Sequence, residues 1–491
     1  MSYVASFDIG TTSIKAIVIN IHGVLSEKAS YELQTIHGPN GEMEQNPNDW
    51  WNGIITISNY WWDECGVDPQ KVKAITFCGQ MQDVIPIPKD ETDIPNAILY
   101  SDSRAGEEAE LLNKMLPNIK EVTGNHIDAA SPFAKLLLLK NKCQSLYTNS
   151  SSFLFSAKDF IIYQLANVFA TDPVTGATTG LMNGRERDWE LEWLELTGIS
   201  QDKLPEINAP EDIVGTVHSE AAKITGFTCG TPVLCGSGDA GATTLGAGSV
   251  NCGDDYIYMG TTGWVAVLSD KIEKLQFGIF NLAHLPKERY ISIAPLLNVG
   301  NVHAWVTQTL TETNDYRDFE RLVEEAAAGS NGLLFLPYIH GERFPVNDPE
   351  ATGVYVGMTP STTRADMARA VLEGLCFSYR QTYEMLVTDS KDTITLIGGG
   401  TKSEAWCQIL ATVLGKQVRI PGNSEYLAAL GAASSAFIAL DWAQDYETFV
   451  ETYLHSNTEC LYDPDPVEKE SYDNLYERFV KLYPAVRKLY N

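Results

Sequence analysis

The chain of 491 residues is 44% hydrophobic, and 64 acidic against 35 basic side chains leave a net charge of −29. Such an acidic balance repels nucleic acid and anionic membranes, and no apolar run approaches the roughly 20 residues that span a bilayer. Nine cysteines without a Cys-x-x-Cys pair read as reduced thiols in a cytosolic protein, and eight histidines without His-x-x-x-His spacing disfavour a zinc site.

Met1-Ser2-Tyr3 leads directly into an apolar strand, Tyr3 to Ile9, so no targeting leader is expected. Gly10-Thr11-Thr12 turns the chain into a second strand, and Val24 to Leu33 returns as a third, which predicts a meander. Asn46-Pro47-Asn48-Asp49 carries helix-start chemistry for Trp50 to Trp62, whose tryptophans at helical spacing read as core. Val72 to Phe77 is a short strand ending at Cys78-Gly79-Gln80-Met81-Gln82-Asp83. In open α/β sheets ligands gather beyond strand C-termini, so this hexad is a pocket wall. Residues 84–230 alternate helical and loop segments. Val233 to Gly248 then supplies a strand, a glycine turn holding Asp239, and a helix of small residues.

Gly260-Thr261-Thr262-Gly263 repeats the first turn between two further apolar strands, as though one fold were written twice. A Gly-Thr-Thr turn offers a phosphate two hydroxyls and several unpaired backbone N–H groups. Two such turns across a cleft would hold one nucleotide, through local donors and placed cations such as Lys15. A strand at Gly332 to Pro337, a helix from Arg364 to about Met385 and a strand at Thr393 to Ile397 follow. Gly398-Gly399-Gly400 then leads to a helix capped by Ser403 and closed by Gly415. Glu468 to Tyr490 reads as a surface helix broken near Pro484. The doubled motif divides the chain near residue 248, into halves 1–248 and 249–491.

Duplicated Gly-Thr-Thr turns, the Gly398 to Gly400 triplet and the isolated Asp239 together resemble the FGGY family of carbohydrate kinases, within the actin, Hsp70 and hexokinase superfamily. Gly353-Val354-Tyr355-Val356-Gly357-Met358, followed after seven residues by Asp366-Met367-Ala368-Arg369-Ala370-Val371-Leu372-Glu373, is similar to that family's C-terminal signature. Leu336 to Pro345 resembles the loop before it, and Ala429-Leu430-Gly431-Ala432-Ala433 resembles the closing helix. The resemblance is collinear from about residue 3 to 440. It implies two α/β domains with RNase H-like cores closing on a cleft.

The resemblance implies that Asp239 is the catalytic base and that Asp8 and Asp239 support Mg²⁺. Thr11, Thr12 and Lys15 resemble the first phosphate loop and Thr261, Thr262 and Gly263 the second. Gly399, Gly400 and Ser403 resemble the adenosine wall. Met81, Gln82, Asp102 and Arg104 fall on the sugar side, with Asp239 at the reacting hydroxyl. Simpler readings stand beside these: Asp239 as cap of a helix starting at Ala240, the glycines as an ordinary strand-to-helix turn, Asp102 and Arg104 as an ion pair.

The implied activity is ATP-dependent phosphorylation of a small neutral sugar or polyol, with D-xylulose as lead and ribulose, erythritol, glycerol and gluconate as alternatives. The xylulose-kinase branch looks closest, and departures from it bear on substrate. That branch has Gly-Gln-Met-His where Gly79-Gln80-Met81-Gln82 stands, and Asp-Asn where Asp239-Ala240 stands. The family's tryptophan after the N-terminal signature lysine is absent, since leucines follow Lys135. Readings of another class are an ATP-binding sugar sensor or an actin- or Hsp70-like ATPase. The intact Asp8, Asp239 and both turns speak against the sensor, and no residues remain for a peptide-binding domain. A homodimer is left open.

Overall fold

The computed structural model describes residues 1–39, 41–90, 92–272, 278–387, 391–454 and 458–489. Two seven-stranded sheets carry it. In the first, Tyr3–Ile9 pairs antiparallel with Ser13–Asn20 and parallel with Val72–Gly79. In the second, Asp255–Met259 pairs antiparallel with Gly263–Ser269 and parallel with Thr393–Ile397. The same unit, a hairpin closed by a threonine-rich turn and flanked by a parallel strand, has therefore been built twice. Four of the seven residues of Tyr3–Ile9 are buried in an unbroken run, because helices cover both faces of the sheet.

Helix Pro47–Asp63 starts as its sequence predicts. The Asn46 side chain accepts from the Asn48 N–H, Pro47 occupies the first turn, and Trp50, Ile54, Ile57 and Trp61 form one buried stripe. Strand Val72–Gly79 passes through Gln80 into Met81–Pro88, which belongs to a five-stranded sheet with Ser150–Ser156 and Ala97–Ile98. That second sheet carries the wall formed by Met81 and Gln82. Helix Arg364–Leu386 opens on a capping box between Thr363 and Asp366. Its buried Glu373 accepts from Gly329 N–H, Ser330 Oγ, Arg369 Nε and Tyr472 Oη, tying the helix to the C-terminal segment.

One expectation needs correction. Gly238 holds the cap position and Asp239 is the first residue of helix Asp239–Gly246, with no capping bond. The extended backbone of Gly238 starts the helix one residue earlier than expected, which removes the helix-cap reading of Asp239. The C-terminal helix Pro466–Phe479 is a surface helix with one buried face, Tyr472, Leu475, Tyr476 and Phe479, while Val467, Glu470, Asn474 and Glu477 are exposed. It ends at Val480, before a short helix Leu482–Val486 that contains Pro484. Tyr490 lies outside the described residues.

Helix Leu427–Ala439 leaves the second sheet and packs on the first, where Ser6 Oγ donates to Ala429 O at 2.6 Å and Thr76 Oγ1 to Ala432 O at 3.2 Å. It also crosses helix Asp239–Gly246 at backbone contact. A β-carbon on Gly246 would lie 2.0 Å from Leu427 O, and one on Gly431 would lie 1.9 Å from Ala242 O. Among the described residues no helix is long and apolar enough to cross a membrane.

Gly431→Ala therefore forces two helices apart, and overpacking of this kind costs about 1–3 kcal/mol or more. Gly106→Ala, at a helix start with open space around it, should instead be neutral or slightly stabilising. Thermal melts of the two variants check this ordering, and equal midpoints would remove the crossing as a constraint.

Candidate active site

Each threonine turn presents donors to the cleft. In the first, Gly10 N–H bonds Ser13 O at 3.1 Å, while the Thr11 and Thr12 N–H groups have no partner among the described residues. In the second, Gly260 N–H bonds Thr262 O at 3.0 Å, and Gly300 and Asn301 N–H take the carbonyls of Gly260 and Thr261. The Thr261 and Thr262 N–H groups are again unpaired among the described residues. Consecutive free N–H groups on a tight turn make an anion nest. The Thr11 hydroxyl donates its only proton to Gln80 Oε1 at 2.9 Å, and Gln45 bridges Gln80 and Thr11 O. In this conformation the free donors of the first turn are backbone N–H groups rather than Thr11 Oγ1.

A cavity of about 350 Å³ opens between the halves, lined by Asp8, Gly10, Lys15, Asp239, Tyr258 and Gly399 among others. A second, of about 860 Å³, takes Thr261, Asn301, His303, Tyr316, Gly400 and Ser403. The two share Tyr258, Gly399 and Lys402. The glycine triplet divides its labour. Gly398 has φ +102° against Met259 O and Gly400 packs on the Met259 side chain, whereas Gly399 faces open space. Ser403 caps helix Glu404–Leu414 by accepting from Trp406 N–H.

Asp8 and Asp239 remain partly open to the cleft, but the walls around them exclude most water. Burial pushes Asp8 up to about 6 against a bond from Cys78 Sγ at 3.5 Å, and pushes Asp239 up to about 7, with the charge of Asp8 adding to the rise. Below Asp239 a buried network fixes its backbone. Asp172 accepts from Gly238 N–H at 3.2 Å, Val174 N–H at 2.8 Å and Thr175 Oγ1 at 2.6 Å, and faces Lys158 Nζ at 3.1 Å.

On the acceptor side Met81 packs against Gly238. Gln82 sits at φ +64°, an uncommon conformation for a side chain of its size. Its amide donates to Thr178 O at 3.3 Å, and its carbonyl accepts from Lys135 Nζ at 3.0 Å. Lys135 also donates to Leu99 O at 2.6 Å, and burial lowers it to about 8. Next to Gln82, Asp83 is fully buried with neither carboxyl oxygen hydrogen-bonded, and burial pushes it well above the carboxylate range. Asp102 accepts from Met43 N–H and from Arg104, which also reaches Glu44. Arg104 and Asp102 thus hold one another, and they do not border either cavity.

The two halves match the family models: residues 3–246 the FGGY carbohydrate kinase N-terminal domain and residues 256–440 the C-terminal domain. The chain belongs to the FGGY family of carbohydrate kinases. It is 27% identical to a xylulose kinase of Bacillus subtilis, over 100% of this chain and 98% of that one. A ligand-bound xylulose kinase structure from Lactobacillus acidophilus superposes with a TM-score of 0.88 at 26% identity, covering 100% of this chain and 99% of that one. A gluconate kinase structure from the same organism fits with the same TM-score and identity, over 99% and 98% of the two chains.

The fold is accordingly the two-domain α/β fold of these kinases, and the protein is an ATP-dependent carbohydrate kinase. Of the expected residues, this kinase brings Asp8, Lys15, Asp239 and Gly399 onto one cavity and Thr261, Gly399, Gly400 and Ser403 onto the other. Thr11, Thr12, Thr262 and the acceptor-side residues border neither. Gly263 lies in its strand, where a β-carbon would meet Tyr379 Oη at 2.0 Å, which accounts for glycine by packing. The sequence reading missed Tyr258, Trp264, Asn301, His303, Tyr316 and Lys402. Tyr258, Trp264 and Lys402 carried a signal, each lying within two residues of a glycine already singled out.

Raised folded-state values for Asp8 and Asp239 mean that their contribution to stability is full below about pH 4 and is lost as pH rises through 6 to 7. Without ligand, Asp239→Asn should therefore melt a few degrees above the unsubstituted kinase at pH 8 and show little difference at pH 4.5. An equal or lower midpoint at pH 8 would mean that the ionised Asp239 is not held at a cost.

Proposed function

We propose that this kinase transfers the γ-phosphoryl group of MgATP to a small neutral ketose or polyol, with D-xylulose the leading acceptor. The observation that carries the proposal is the placing of Asp8 and Asp239 on one cavity that shares Gly399 and Lys402 with a second, nucleotide-sized cavity. The acceptor hydroxyl gives its proton to Asp239 as its oxygen attacks the γ-phosphorus, and the bond to the β,γ-bridging oxygen breaks to release ADP. A carboxyl held near 7 is poised for that transfer at neutral pH. Alignment and charge stabilisation are the remaining tasks. We assign them to the N–H groups of both threonine turns, to Lys15 and to Lys402.

Mg²⁺ fits the donor set. Among the described residues no group of three or more His, Cys, Asp or Glu could hold a metal. Two carboxylates supplemented by phosphate oxygens and water are what Mg²⁺ prefers, and Asp8 and Asp239 would hold it. The bound ion would neutralise phosphate charge during transfer.

A neutral acceptor follows from the charges on its wall. Lys135 is engaged by two carbonyls and Arg104 by two carboxylates, and no lysine or arginine lies in 79–87. Lys135 also faces the buried Asp83, whose rise its charge opposes, so neither it nor Arg104 is free for a sugar acid. D-Xylulose is favoured by likeness to xylulose kinases, while Gln82 and Ala240 replace two hydrogen-bonding groups of that branch. Met81, Gln82, Asp102 and Arg104 stay proposed acceptor-side residues, with Asp102 and Arg104 acting through the loop they hold. We further propose that residue 248 divides an acceptor-and-base half from a nucleotide half, and that the kinase is cytosolic, as its nine free thiols favour. A homodimer is a proposal for sedimentation to test.

Asp239→Asn should lower kcat by about 10²–10⁴ while ATP binding, followed by calorimetry, persists. Activity within about fivefold of the unsubstituted kinase would remove Asp239 as base. Across D-xylulose, L-xylulose, ribulose, erythritol, glycerol and gluconate, the highest kcat/KM should fall on a neutral ketopentose or related polyol. Gln82→His with Ala240→Asn should shift preference toward D-xylulose. Gluconate as best acceptor would overturn the reading of the wall.

A further inference from the structure

Strand Asp255–Met259 alternates between two cores. Ile257 and Met259 join the hydrophobic core of the second half, while Tyr256 and Tyr258 turn toward the core that spans the halves. Tyr258 is half-buried, borders both cavities, and stands two residues before the second threonine turn. Its ring lies over Gly260: a β-carbon there would come within 2.4 Å of Cε1 and 2.5 Å of Oη. The backbone is held as well, since Tyr379 Oη donates to Tyr258 O at 2.7 Å. The Tyr258 hydroxyl, by contrast, has no hydrogen-bond partner among the described residues.

The ring is positioned by the neighbouring strand of its own sheet, which is in turn linked to the first half. Tyr258 stacks on Trp264 with centroids 3.9 Å apart and an interplanar angle of 11°. Trp264 Nε1 donates to Tyr256 Oη at 3.1 Å, and Tyr256 Oη lies 3.0 Å from Thr244 Oγ1. Thr244 donates to Ala240 O at 2.7 Å, so its one proton is committed and Tyr256 must donate to it. Thr244 belongs to the helix that begins at Asp239. A continuous set of bonds and one ring stack therefore runs from the helix of the base to a free phenol beside the second anion nest.

We propose that Tyr258 is a catalytic residue of this kinase, its phenol donating a hydrogen bond to a non-bridging oxygen of the phosphoryl group in transfer. No proton is exchanged: the acceptor proton goes to Asp239, the new O–P bond forms as the bond to ADP breaks, and the Tyr258 O–H remains intact. Burial raises the phenol above its ordinary value, with Asp239 adding to the rise, which keeps it a donor at neutral pH. A fixed donor aimed at developing charge acts on the transition state more than on bound ATP. The role rests on the kinase reading but not on which sugar is the acceptor.

Tyr258→Phe removes the hydroxyl and keeps the stack. The expected result is a kcat lower by about 10–100-fold, with KM for ATP within about threefold and an unchanged melting midpoint. The rate ratio between ATP and its γ-thio analogue should also shrink in the variant, because sulfur at a non-bridging position, a poorer hydrogen-bond acceptor that shifts the charge on the group, matters less once the phenol is gone. Slow sugar-independent hydrolysis of ATP gives the same comparison with water as acceptor, so a wrong choice of sugar leaves the test intact. Thr244→Val supplies a second route: a smaller loss in the same direction, with no further loss when combined with Tyr258→Phe. An unchanged kcat and thio ratio, an effect confined to KM, or strict additivity of the two substitutions would overturn the proposal. Absence of any ATP turnover in the unsubstituted protein would instead count against the kinase reading itself.

Discussion

Everything catalytic in this molecule depends on two helices that touch through bare backbone. Asp239–Gly246 begins with the proposed base, and Leu427–Ala439 descends from the second half onto the first sheet. They meet where Gly246 and Gly431 leave no room for a β-carbon. Contact at that distance makes the position of the base a function of both halves at once. Ser6 and Thr76, donating to carbonyls of the second helix, turn the contact into a specific register rather than a loose apolar seam.

The second physical theme is how a chain with a charge of −29 receives a polyanion. Its overall field opposes the nucleotide, so attraction must be local and short-ranged. The two threonine turns answer with unpaired N–H groups, which carry partial positive charge and need no counter-ion. Lys15 and Lys402 add point charges to the cavity walls. The same crowding that excludes water raises Asp8 and Asp239, so the empty cleft holds carboxyls that favour a proton or a cation. A site that is electrostatically uncomfortable when empty gains the most when a cation and a phosphate arrive together.

The family's marks and its working parts are largely different residues. The C-terminal signature from Gly353 to Glu373 builds a capped helix and the buried Glu373–Arg369–Tyr472 cluster, and it borders neither cavity. The wall proposed for the acceptor lies instead around Gln82, where the backbone adopts positive φ. Likeness to both xylulose and gluconate kinase structures at equal identity is what this separation predicts. The scaffold is shared between kinases named for different acceptors.

The sequence by itself determined the doubled architecture, the hairpins with their threonine turns and the helix caps at Asn46 and Ser403. These are local features, written in contiguous residues with strong turn, capping and periodicity rules. Only the tertiary structure decided that Gly238 rather than Asp239 precedes the helix, that Thr11 gives its proton to Gln80, that Gly263 is a packing glycine, and that the C-terminal helix buries a tyrosine-bearing face. It also brought Tyr258, Trp264 and Thr244 into one connected set, although they come from two strands and a helix. Hydrogen-bond partners and burial depend on which distant segments meet, and no local pattern encodes that meeting. For the same reason Asp83 read only as a neighbour of Gln82 in the chain, and its isolation became visible once every donor around it had been placed.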